Sequence, residues 1–111
     1  MIDQKKLEND LQYIAETDVE YAELTAKLSK EVHDLKHIKG KYISITNADI
    51  PVSKAQEKFF STDEFKNYNK KLCDLETKVA VLRNKRLSAV MRIEVWRTLE
   101  ASRRKGNVWH N

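Results

Sequence analysis

Every seventh residue from position 7 is apolar: Leu7, Ile14, Tyr21, Leu28, Leu35 and Tyr42. A second series runs Phe65, Leu72, Val79, Arg86, Ile93, with Tyr68, Leu75, Leu82, Ala89 and Trp96 interleaved three residues later. A period of seven with a second position at +3 belongs to helices that wind on a partner helix. Such a chain folds into long helices and must carry its chemistry on helix surfaces, which argues against an enzyme. With 2 Gly and 1 Pro among 111 residues, few turns are available, and one domain is the limit for this length. A charged fraction of 34% and an aromatic fraction of 8% suit a thin coiled-coil core.

The expected fold is all-α: an antiparallel hairpin of two long helices, a coiled coil with a short connecting helix, and oligomeric because a lone hairpin buries little surface. Helix 1 is placed within residues 1–45. Pro51 disfavours helix at the residue before it, so residues 46–61 hold a loop and a short helix that ends near Phe60. Ser53-x-x-Gln56 and Ser61-x-x-Glu64 read as capping boxes for the second and third helices. The third helix fills residues 62–105 and stops at Gly106, leaving a tail over 106–111 that contains Trp109. Glu31 and Arg86 interrupt the apolar seam, and each is costly to bury alone. Placing them in one layer as a buried polar pair sets Tyr21 beside Trp96; sliding by one heptad sets Tyr21 beside Ala89.

The net charge of +4 hides a gradient. Residues 1–26 carry two lysines against seven acids, a balance of −5, whereas residues 78–105 carry nine Lys/Arg against two acids, a balance of +7. No apolar run reaches the roughly 20 residues of a membrane span, and the N-terminus lacks the apolar stretch of a secretory signal. The expected location is the cytoplasm, that of the host if the chain is phage-encoded. The single cysteine, Cys73, permits no internal disulfide and is expected to face outward.

Three surfaces could carry function. Lys71, Lys78, Lys85 and Arg92 recur at sevens beside the seam, about 10 Å apart along a helix, a spacing that suits a phosphodiester backbone. The same residues could equally be ordinary solvated flanks of a coiled coil. Lys36, Lys39, Lys41 and Tyr42 place cations and one aromatic ring near the loop, where lysines could hold phosphates while the ring stacks on a base. Finally, the apolar face of the last helix widens at Val90, Met91, Val95 and Leu99, which with Trp96 and Arg103 form the expected oligomer or partner contact. His33 and His37 have a metal-ligand spacing, but nothing completes a site. No metal, cofactor or catalytic residue is expected, and no nucleophile–base constellation is present.

The closing string Ile93-Glu94-Val95-Trp96-Arg97-Thr98-Leu99-Glu100-Ala101-Ser102-Arg103-Arg104 resembles a family of small helical phage proteins with an IE-x-WR-(S/T)-L-x-A-x-x-R signature. The layout also resembles the UvsY-type phage recombination mediators, whose basic-aromatic segment is matched here by Ile38-Lys39-Gly40-Lys41-Tyr42-Ile43-Ser44. Lys39 and Lys41 take the basic positions; the paired tyrosines are absent. The resemblance implies single-stranded DNA binding, homo-oligomers, and help to a RecA-like recombinase, an annealing protein or a single-strand-binding protein. The leading expectation is thus a non-catalytic DNA-recombination accessory protein. Two alternatives stay open: an inhibitor or adaptor of a host nuclease or defence complex, using Glu16, Asp18, Glu20 and Glu23, and a structural coiled-coil assembly protein.

Overall fold

A computed structural model describes residues 3–110, with side chains through Gly106. It contains α1 (Gln4–Thr46), α2 (Val52–Phe60) and α3 (Asp63–His110), of 43, 9 and 48 residues. Among the described residues there is no strand. The all-α expectation holds, with two long helices and a short helix between them in sequence.

Each helix boundary has a local cause. Asp3 starts α1, its carboxylate accepting from the Lys5 amide at 3.1 Å, a partner for one of the orphan donors of a helix start. The helix passes Gly40 without a break, since that glycine keeps a negative φ and has open space around it. Pro51 (φ −57°, ψ 151°) then enters α2 in extended geometry. No side chain caps this helix: the box expected at Ser53 does not form, because Ser53 already lies inside α2. Ser61 does not open α3 either. It closes α2, donating from Oγ to the carbonyls of Glu57 and Lys58. Thr62 takes the capping role, accepting from the Phe65 amide at 3.2 Å, and Asp63 and Glu64 place negative charge on the first turn of α3, where the helix dipole favours it. The expected stop at Gly106 does not occur; α3 runs on to His110, and the glycine adopts no left-handed turn. The Trp109 side chain lies outside the described residues.

The chain divides into two compact units, Met1–Ala22 with Ala80–Asn111, and Glu23–Val79. In the second unit α2 plugs the loop end. Ala55 and Phe59 are completely covered, and Leu72, Leu75 and Val79 of α3 are buried. The Phe59 ring sits 5.5 Å from Tyr42 of α1 and 5.4 Å from Phe65 of α3, so one side chain ties three helices. Further along this unit the Tyr68 hydroxyl donates to the Glu31 carboxylate at 2.6 Å. In the first unit Leu7, Ala89 and Ile93 are buried, while Ile14, Tyr21, Leu82 and Trp96 are half-buried at the expected heptad positions.

The expected buried pair of Glu31 and Arg86 is not formed. Among the described residues no polar or charged side chain is fully buried, and the two lie in different units. Arg86 donates to the Ile14 carbonyl (2.9 Å), the Thr17 hydroxyl (2.7 Å) and Asp18 (3.1 Å), and its guanidinium lies over Tyr21. Arg86 thus faces Thr17, two heptads from the residue it was expected to meet. The physical reason is that the +3 series of α1 reads Asp10, Thr17, Leu24, Glu31, Ile38. The seam therefore holds polar partners at Asp10 and Thr17 as well as at Glu31, and each polar group of α3 takes a near one.

Candidate nucleic-acid interface

The cations of α3 differ in their engagement: of its six arginines four are paired, and Arg83 and Arg104 take part in no ion pair among the described residues. Arg86 and Arg92 reach across to α1, whereas Arg97 and Arg103 pair along the exposed surface of α3 itself. Arg92 grips Asp10 with two parallel bonds of 2.9 Å, and Arg86 is held as above. Arg97 pairs with Glu94 at 3.3 Å, and Arg103 with Glu100. The fork-shaped contact to Arg92 holds the Asp10 carboxylate below its usual pKa, as expected for a bidentate charged hydrogen bond. Among the described residues Lys27, Lys71, Lys78 and Lys85 also take part in no ion pair, and all are exposed.

Within Glu23–Val79 three of these lysines share one surface. An open groove of about 380 Å³ is lined by Lys27, Glu31, Lys71, Leu72, Asp74, Leu75 and Lys78. Of its two carboxylates, Glu31 is tied to Tyr68, and that bond pushes the Tyr68 hydroxyl up to about 12. The groove thus presents three ammonium groups that are in no ion pair beside one acid, Asp74, that is in none either. In the other unit Lys85 lines a smaller groove of about 340 Å³ with Asp10, Tyr13, Ser88 and Arg92. Arg92 is therefore the one member of the expected basic column whose charge is already matched.

At the loop end of the second unit, Lys36 and Lys41 are exposed. The Lys39 ammonium lies 4.9 Å from the centre of the Phe60 ring. Tyr42 is half-buried with its ring against Phe59. That ring serves the core, and the exposed aromatic beside Lys39 is Phe60. Phe60 belongs to α2 and lies outside the basic segment in sequence. Its signal was the Phe-Phe pair itself: on a short helix only one of two adjacent rings can point inward.

Other sequence candidates resolve simply. The nitrogens Nε2 of His33 and His37 lie 3.1 Å apart, and no group of three or more metal-ligating side chains occurs among the described residues. Cys73 is exposed. Of the expected contact residues, Val90, Val95 and Leu99 are exposed; Trp96 turns toward the seam and is half-buried; and Arg103 is paired with Glu100. No helix among the described residues is long and apolar enough to cross a membrane. No protein family, curated protein or solved structure matches the chain.

Proposed function

We propose that this protein is a non-catalytic accessory of phage DNA recombination that holds single-stranded DNA for a recombinase or annealing partner. The observation that carries the reading is the division among its cations. Four of the six arginines are held in ion pairs, while Lys27, Lys71 and Lys78 stand without one around a single groove. Lysines free to move follow a flexible phosphate chain without demanding fixed geometry, and such contacts give affinity without sequence preference. Phe60, exposed with Lys39 beside it, supplies a ring on which a base can stack. The resemblance of the closing α3 string to small phage proteins supports the same reading.

A second reading, a protein-binding adaptor, draws on Glu16, Asp18 and Glu20 of α1, all exposed. Fluorescence anisotropy with labelled single-stranded and double-stranded oligonucleotides separates the two. The DNA reading expects single-strand binding shared by all sequences and weakened by Phe60→Ala. Absence of binding at low salt would remove it in favour of the adaptor.

A further inference from the structure

The outer side of α3 carries a row of exposed apolar residues that the intramolecular pairing leaves uncovered. Leu87 (55% exposed), Met91 (61%), Val95 (52%) and Leu99 (46%) follow one another at every fourth position. Asn84, Ser88, Thr98 and Ser102 lie among them, exposed and uncharged. In a chain that is 34% charged, an eight-residue face without one charge is not an ordinary solvated flank. All eight belong to Ala80–Asn111, within a single unit.

The row is also a palindrome. About its midpoint at position 93, Met91 mirrors Val95, Ser88 mirrors Thr98, Leu87 mirrors Leu99 and Asn84 mirrors Ser102. Apolar falls on apolar and uncharged polar on uncharged polar at every step. That is the condition for an isologous two-fold contact, in which each residue meets its mirror on an identical surface. A partner of different sequence would impose no such symmetry. We propose that α3 docks through this row, antiparallel, on α3 of a second copy of this chain.

The geometry follows from the row. Residues spaced by four form the ridge that packs into the matching groove of another helix at a crossing angle of about −50°. The contact is then a short crossing rather than a long coiled coil, which agrees with an apolar row of only four residues. The charges beside it are already quenched: Arg92 is bound to Asp10, and Glu94 to Arg97. Four large side chains per copy fall far below a standard interface, so the dimer dissociates on dilution. The remaining positive charge of the two α3 helices repels, so salt strengthens the dimer, opposite to its effect on DNA binding.

Sedimentation equilibrium of the full chain tests this. The wild type should move from monomer at roughly 10 μM toward dimer at roughly 0.5 mM, as suits a contact this small, and Val95→Glu should stay monomeric with its helicity unchanged. Single-cysteine chains in a Cys73→Ser background read the register independently. Leu87→Cys mixed with Leu99→Cys should form a disulfide-linked heterodimer under mild oxidation, since mirrored positions come within disulfide reach. Leu87→Cys alone should not, because its two copies sit at opposite ends of the contact. A wild type monomeric throughout, a dimer that survives Val95→Glu, or equal cross-linking of Leu87→Cys with itself would each overturn the proposal. If Val95→Glu unfolds, the cysteine mixture decides.

Discussion

Phe59 and Phe60 are adjacent in sequence and opposite in consequence. Phe59 is 1% exposed and its ring lies within 6 Å of Tyr42, Phe60 and Phe65. Phe59→Ala removes a fully buried ring where three helices meet. The backbones of α1 and α3 cannot close the gap while the rest of their seam is packed, so transfer and cavity terms both count, about 3–5 kcal/mol together. Phe60 is 46% exposed. Full burial of a Phe side chain is worth about 1.5–3 kcal/mol, so Phe60→Ala should cost roughly 1 kcal/mol. Domains of this class have about 5–15 kcal/mol in hand, so the first variant loses a large share and the second little. Urea unfolding followed by circular dichroism reads both. With a slope of about 1–2 kcal/mol per molar, Phe59→Ala should lower the midpoint by about 2 M or more, and Phe60→Ala by no more than about 1 M. In native-state hydrogen exchange, the Phe59→Ala loss should centre on Glu23–Val79, the unit that holds the cluster. A Phe59→Ala cost below about 1 kcal/mol, or equal costs for the two variants, would refute the assignment of Phe59 as the plug.

Three further outcomes follow from the polar contacts. Asp10 has a depressed carboxyl pKa through its bonds to Arg92, so it adds stability that is complete above the ordinary value of 3.8 and is lost as pH falls through its lower folded value; Asp10→Asn should remove that part of the acid dependence in pH-dependent unfolding. The Tyr68 hydroxyl, raised to about 12 by Glu31, contributes stability that is complete below its ordinary value of 10.0 and is lost as pH rises through about 12. In a spectrophotometric phenol titration one of the 4 tyrosines should therefore ionise late, and Glu31→Gln should abolish the delay. Arg86→Leu should change stability by less than about 1 kcal/mol, because Thr17 keeps its bond to the Tyr13 carbonyl, Asp18 is open to water and the Ile14 carbonyl lies inside the α1 ladder. A loss of about 3 kcal/mol in urea unfolding would contradict this.

The seam was legible because its signal is a period. Leu7 through Tyr42 and Phe65 through Trp96 all fall at covered or half-covered positions, since a strict seven-residue repeat leaves a helix only one face to bury. The register was not legible. Several antiparallel alignments bury equally apolar layers, so small polar preferences choose among them, and counting only Glu31 and Arg86 omitted Asp10 and Thr17. The end of α2 misled for a similar reason: Ser61 and Thr62 can each cap a helix, and the backbone decides which one closes and which one opens. Of the candidate interface, the lysine spacing was readable, but the engagement of Arg92 and of the Tyr42 ring was not. Both depend on what the opposing helix or α2 presents, and a helix periodicity contains no information about its partner.

On the proposed reading, the unpaired lysines of the Glu23–Val79 groove hold a single strand by charge. The most direct test is the salt dependence of oligonucleotide affinity for the wild type and for Lys71→Ala with Lys78→Ala. Each neutralised phosphate contributes about 0.7 to the slope of log affinity against log salt for a single strand. The wild type should bind with a slope of about −2 or steeper, as expected for roughly three contacts. The double variant should bind every sequence more weakly, with a slope flatter by about 1.4. Wild-type affinity indifferent to salt, or a double variant with an unchanged slope, would rule out charge-held binding in this groove.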